Sequence, residues 1–220
     1  MKKITFTMLG AVMLFSTAAQ AQEQTIKGYA SVKAVMTKTD GSFWGNKKKF
    51  DPKGINIAVG VKANKNLRLE AEYNFRESAD KTEPYLGTNG VKIFDGIYKT
   101  ELSVQSYMLN GYYDFHNTTK FTPYVGIGLG MAKVEYDDSD TYDVYDVGTG
   151  NYLGSYFGYY HSSKKKLTYN ISAGASYELT DRLALDLGLR YIDYGSFSDS
   201  YGDKYKTKSK EVSFGMRYSF

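Results

Sequence analysis

The sequence predicts an all-β fold: an eight-stranded antiparallel up-and-down transmembrane β-barrel with four long loops at one end and three short turns at the other. Three observations carry that prediction. The chain closes on Val212, Phe214, Met216, Tyr218 and Phe220 at alternate positions, with Glu211, Ser213, Gly215, Arg217 and Ser219 between them; period two puts the two sets on opposite faces of a strand. Short and long connections alternate along the whole chain, as they must when turns close one end of a barrel and loops the other. Across the strands, the apolar face carries bulky aromatics while the opposite face carries Gly, Ser and Asn, which fits lipid outside and a narrow interior.

Taken in order, the chain opens with a basic Met1-Lys2-Lys3, an apolar or small run over residues 4–18, and the small-x-small Ala19-Gln20-Ala21. Residues 1–21 read as a cleaved signal peptide, and residues 22–220 as a single β-barrel domain beginning at Gln22. The apolar core of the leader is shorter than the roughly 20 residues a bilayer-spanning helix needs. Loss of Lys2 and Lys3 lowers the net charge from +4, and the remaining positive charge is too small and scattered to indicate nucleic acid. The chain has 22 Tyr, 22 Gly, only 3 Pro and no Cys, so an exported protein of this size is held by its ladders and packing alone.

Eight segments alternate. Residues 25–36 place Ile26, Ala30, Val32 and Ala34 opposite Lys27, Tyr29, Ser31 and Lys33, and residues 54–63 place Ile55, Ile57, Val59 and Val61 opposite Asn56, Ala58, Gly60 and Lys62. Residues 67–76 alternate without error, with Leu67, Leu69, Ala71, Tyr73 and Phe75 against Arg68, Glu70, Glu72, Asn74 and Arg76. Residues 102–115 are less regular, whereas residues 121–136 separate Val125, Ile127, Leu129 and Met131 from Gly126, Gly128 and Gly130. Residues 167–179, 183–194 and the C-terminal run complete the set. Residues 64–66, 116–120 and 180–182 are the short turns; residues 37–53, 77–101, 137–166 and 195–207 are the long loops. A soluble eight-stranded barrel shows the same alternation, but the aromatics Tyr73, Phe75, Tyr107, Tyr113, Phe115 and Tyr169 are too bulky a set for its interior.

The leader, the eight strands, Pro123-Tyr124-Val125-Gly126-x-Gly128-x-Gly130, Asn110-x-Tyr112-Tyr113-Asp114-Phe115 and the terminal Phe220 together resemble the small outer-membrane β-barrel superfamily of the OmpA barrel, OmpX and opacity-type surface proteins. That resemblance covers the whole mature chain. It implies the outer membrane of a Gram-negative bacterium, extracellular loops, periplasmic turns and both mature termini in the periplasm. It also implies that Phe214, Tyr218 and Phe220 form the signal read by the barrel-assembly machinery.

Charged residues on the inward face predict a plugged lumen. Symmetric pairing of the last two strands about Tyr201 sets Arg190 roughly opposite Glu211 or its neighbour and Asp186 near Arg217, and Arg68, Glu70, Glu72 and Lys62 are expected to form a second group. Eight strands enclose just enough room for their own side chains, so a porin-like diffusion pore is the alternative reading rather than the leading one.

Catalysis is not expected. His116 sits in a turn. His161 and Ser163 share a strand face in weak likeness to lipid A deacylase barrels, but Lys164-Lys165-Lys166 departs from that pattern, and the nearest downstream carboxylate, Glu178, faces the other way. Asp137, Asp138, Asp140, Asp143 and Asp146 lack the spacing of a calcium loop, and neither metal nor cofactor is expected.

Function is expected in the loops. The third carries Tyr142, Tyr145, Tyr152, Tyr156, Phe157, Tyr159 and Tyr160 among Gly, Ser and Asn, a composition suited to binding because Tyr offers large contact area at low entropic cost. The same segment equally fits strands that run on past the membrane. Phe43-Trp44 marks the tip of the first loop. Lys164, Lys165, Lys166, Lys204, Lys206 and Lys208 fall at the outer rim, at the height of lipopolysaccharide phosphates. The sequence reading is thus a monomeric, non-enzymatic outer-membrane barrel that supports envelope integrity and makes surface contacts, adhesion among them, through its loops.

Overall fold

The computed structural model describes residues 27–43, 46–198 and 204–220, with the side chains of 41–48 and 197–205 outside that description. The expected signal peptide, Trp44 and Tyr201 therefore lie outside the described residues, as do the side chains of Phe43 and Lys204.

The strands are β1 (Lys27–Phe43), β2 (Asn46–Phe50), β3 (Lys53–Lys62), β4 (Leu67–Thr88), β5 (Lys92–Asp114), β6 (Phe121–Asp146), β7 (Tyr152–Glu178), β8 (Leu183–Ser198) and β9 (Lys204–Ser219). Every neighbour is antiparallel, and β1 pairs with β9 from Tyr29↔Ser219 to Ser42↔Lys206, closing a ring. β2 and β3 are one ladder on β1, broken at Asp51 and Pro52. Proline has no N–H to give to a ladder, and the ring therefore has eight walls.

Tight turns join the strands at one end. Asn64 Oδ1 accepts the N–H groups of Asn66 and Leu67 at 2.8 and 2.9 Å, and Thr180 Oγ1 accepts those of Arg182 and Leu183 at 3.3 and 3.0 Å. At the other end the long connections are mostly strand. β4 and β5 stay paired to Thr88↔Ile93, and β6 and β7 to Tyr145↔Tyr152, so most of 77–101 and 137–166 is not loop, and the strand-extension reading of the third loop is the one realised. The physical reason is that alternation there no longer separates apolar from polar, both faces being mixed and wet, although Tyr, Val, Phe and Thr still favour strands. Because β3 pairs with β4 only up to Gly54↔Arg76, and β7 with β8 only up to Tyr169↔Asp193, β4 to β7 stand above the ring as a four-stranded sheet that no other described strand covers.

Outward side chains are apolar around the ring, as at Met36, Leu109, Ile127, Leu167 and Ile171, all more than half exposed. Inward positions are small or polar. Gly128 shows why: a Cβ there would collide with the amides of Asn110 and Asn170, which bond to each other across it at 2.9 Å. The interior is not polar throughout, however. Phe50, Leu102, Val104, Ala132, Val134, Tyr136, Ile192 and Tyr194 form a buried apolar cluster at the outer mouth. The plug of charged residues expected from the sequence therefore fills only the lumen below this height: inward-facing Leu102, Val104 and Val134 keep the phase of the polar positions below them but carry hydrocarbon.

Candidate functional site

Below the apolar cap, the lumen is crossed by ion pairs. Glu72 takes both ends of the Arg190 guanidinium, at 2.6 and 2.9 Å, and also lies 3.4 Å from the side-chain amides of Asn56 and Asn110. Arg76 donates to Glu211 at 2.8 and 3.0 Å and to Asn56 at 2.8 Å. Arg68 clasps Asp114 at 2.7 and 2.8 Å while lying over the rings of Tyr112 and Tyr124. Glu70 receives the hydroxyls of Tyr29 and Tyr112 at 3.1 and 3.2 Å and has Lys33 at 3.8 Å.

These contacts redistribute the expected pairs. Arg190 is indeed the ladder partner of Glu211, but its ion pair is with Glu72 on the far wall, and Glu211 belongs to Arg76. A directly opposite residue is only about 5 Å away, so a full-length arginine overshoots it and spans the narrow lumen, where it finds a bidentate carboxylate. Asp186 and Arg217 meet at 3.4 Å, with Ser176 bridging them. Arg68 does not group with Glu70, Glu72 and Lys62: its partner is Asp114, and Lys62, its own ladder partner of like charge, makes no ion pair among the described residues. Lys33, Arg76 and Asp114 were the members that sequence reasoning left out of the network. Their inward phase was readable, while partnership across the ring was not.

The extracellular sheet brings the loop tyrosines together. Tyr142 stacks on Tyr156 with ring centroids 4.9 Å apart, Phe94 meets Tyr142 edge-on at 5.6 Å, and Tyr85 lies 6.4 Å from it. Tyr145 packs against Tyr152 at 5.7 Å. On the outer face of β6 and β7, Asp137 accepts from Tyr159 at 2.5 Å and lies 2.7 Å from His161 Nδ1. Those two hydrogen bonds, Tyr159 first, hold the Asp137 carboxyl below the usual carboxylate range, and in return Asp137 raises the Tyr159 hydroxyl. Burial, reinforced by Asp138, pushes Tyr98 up to about 12.

The His161–Asp137 contact was not foreseen, because the carboxylate comes from the neighbouring strand rather than from downstream. Ser163, opposite Glu135, joins no hydrogen bond with His161 among the described residues. Phe157 and Tyr160 are exposed, each by more than 60%. His116 sits exposed in its turn.

At the rim, Lys165 is the first outward position above Leu167, opposite Lys133, whereas Lys164 and Lys166 take the other face. On β9, Lys206 and Lys208 keep the outward phase of Val212, and Lys208 pairs with Asp193 at 3.4 Å. Lys38 and Lys210, opposite each other on β1 and β9, share that belt. At the closing strand, the Phe220 ring lies against Gly28, and its N–H donates to the Gly28 carbonyl at 3.0 Å. No group of three or more metal-ligating side chains occurs among the described residues.

Residues 7–220 match the family described as "Outer membrane protein beta-barrel domain". Outer membrane protein PagN of Salmonella typhimurium is 31% identical over 169 residues, covering 70% of this chain and 65% of PagN. Opacity protein opA50 of Neisseria gonorrhoeae is 27% identical over 129 residues, covering 54% of this chain and 52% of that protein; the chain thus spans less than two thirds of each of these relatives. The crystal structure of Neisserial surface protein A superposes with a TM-score of 0.59 at 20% identity, over 90% of this chain and 100% of that one, a likeness of fold.

Proposed function

The chain belongs to the outer-membrane protein β-barrel family, and from that premise we propose that it is a closed, non-enzymatic barrel that supports the envelope and makes adhesive surface contacts through the sheet carried by β4 to β7. The barrel sits in the outer membrane of a Gram-negative bacterium with its long connections outside. One observation carries the adhesive reading: four strands continue well past the ring, unpartnered on both faces among the described residues, and present a stacked tyrosine cluster centred on Tyr142 and Tyr156. A membrane-stabilising barrel has no need of such a sheet, whereas tyrosines on a rigid scaffold make efficient contact area.

The filled lumen and the apolar cap argue against a diffusion pore. Rim contacts to lipopolysaccharide phosphates fall to Lys165, Lys206 and Lys208, joined by Lys38 and Lys210, since these share the outward phase. The C-terminal Phe214, Tyr218 and Phe220 serve the assembly machinery, the mature chain starts at Gln22, and the barrel works as a monomer.

The test displays the protein on a non-adherent bacterium and measures binding to host cells and matrix proteins, beside a form lacking residues 142–160. Heat-modifiable gel mobility reports whether each barrel has folded. Binding that disappears with the hairpin supports adhesion. No binding by either folded form sinks it, and measurable conductance in planar bilayers would restore the pore reading.

A further inference from the structure

The lumen-side phase of the barrel continues up the extracellular sheet, and the residues it brings together have a common chemistry. Three successive rows run across β4 to β7: Lys81, Thr100, Asp138 and Tyr160; then Glu83, Tyr98, Asp140 and Gly158; then Tyr85, Gly96, Tyr142 and Tyr156. Residues 137–163 contain five aspartates and neither lysine nor arginine. Asp137 is bonded by Tyr159 and His161, Asp143 by Ser155 at 2.5 Å, and Asp146 by Thr149 at 2.8 Å. The other two, Asp138 and Asp140, lie on the lumen-side face and meet no cation among the described residues. Asp138 takes the Tyr98 hydroxyl, while its Oδ1 is buried and has no hydrogen-bond partner among the described residues. Asp140 is half-buried, its carboxylate resting in the space that a side chain on Gly158 would fill.

We propose that this face binds a basic polypeptide segment in extended conformation, seating arginine or lysine side chains on Asp138 and Asp140 beside the Tyr142–Tyr156 stack. The inference rests on the reading of the sheet as a contact surface and names the chemistry of what it contacts. A cation between a carboxylate and aromatic faces gains a charge-assisted hydrogen bond together with attraction to the ring quadrupole. The spacing also fits, because Asp138 and Asp140 are two residues apart on one strand, about 7 Å along it, and so are alternate side chains of an extended peptide. Two carboxylates are too few for a metal site, and the one lysine of these rows, Lys81, is paired with Glu83 at 3.4 Å, which disfavours an anionic ligand.

The test uses the mature barrel in lipid nanodiscs and labelled peptides of equal length carrying alternating arginine, glutamine or glutamate. The arginine peptide should bind at least tenfold more tightly than the glutamine peptide and lose affinity as salt rises. Asp138→Asn/Asp140→Asn should remove that preference, whereas Asp143→Asn, on the other face, should retain it. Equal binding of arginine and glutamine peptides, or full binding by the Asp138→Asn/Asp140→Asn form, overturns the proposal. Cell adhesion separates the two readings: adhesion lost without residues 142–160 but unchanged in the double asparagine form leaves the sheet an adhesin and rejects the cationic ligand. Arginine-selective binding in nanodiscs with no cell adhesion keeps the ligand and rejects the adhesin.

Discussion

The pairing of Arg190 with Glu72, rather than with its ladder partner Glu211, makes a quantitative prediction. Both side chains are almost fully enclosed, at 8% and 1% exposure, and two short bonds join them. Glu72→Gln leaves the guanidinium without a counter-ion, because Glu211 is held by Arg76 at 2.8 Å. Removing one partner of a buried pair costs about 3–5 kcal/mol, and the lower end applies since glutamine still accepts one hydrogen bond. Arg190→Met strands Glu72 in the same way. The double variant removes both charges, so its cost falls well short of the sum, with a coupling of about 2–4 kcal/mol. The corresponding cycle for Arg190 and Glu211 should show a coupling of roughly 1 kcal/mol or less. Urea titration in lipid bilayers, followed by gel mobility and far-UV circular dichroism, measures all of these. A larger coupling to Glu211 than to Glu72 would refute the cross-lumen wiring.

Three further outcomes are expected. Gly128→Ala should cost about 1–3 kcal/mol by displacing the Asn110–Asn170 bond, whereas Gly111→Ala, facing lipid with only Leu69 nearby at 3.8 Å, should be nearly neutral in the same titration. Asp137 has a folded-state carboxyl value below its unfolded one, so its contribution to the β6–β7 hairpin is complete above about pH 4 and fades as pH falls through the folded value; cross-strand contacts of His161 followed by NMR should weaken there, and Asp137→Asn should flatten the profile. Planar bilayers should show no steady conductance from the intact barrel, because a buried apolar cluster around Phe50 and Ile192 stands in the lumen, and steady openings would contradict the filled lumen.

Much of the ring was legible because lipid imposes a strong contrast between strand faces. Residues 67–76 and 121–136 revealed their inward and outward sets through that contrast alone, and short turns such as 64–66 announced themselves through Asn. Above the membrane the contrast disappears, and residues 77–101 and 137–166 looked like loops although their tyrosines and valines pair in register. The lumen shows a different limit. Alternation says that Arg190 and Glu72 both point inward, but their strands are far apart in the chain, and which of several inward carboxylates an arginine reaches depends on the ring's diameter. For the same reason Asp137 was not linked to His161. The apolar cap was hidden because Leu102, Val134 and Ile192 read as ordinary strand residues, with no sign of the height at which they meet.

The ring closes where Thr39 meets Ser209, residues 170 apart in sequence, while β6 and β7 close across a turn of a few residues. By loop-closure entropy alone the seam costs about 2.5 kcal/mol more than a ten-residue loop. The tall sheet stands diametrically opposite that seam, centred on β5 and β6. A finished ring, filled by ion pairs and capped by hydrocarbon, leaves no passage for hairpins of that length. The expected order of events at the membrane follows: the distal halves of β4 to β7 cross while β1 and β9 are still free edges, and the seam from Tyr29↔Ser219 to Ser42↔Lys206 zips afterwards.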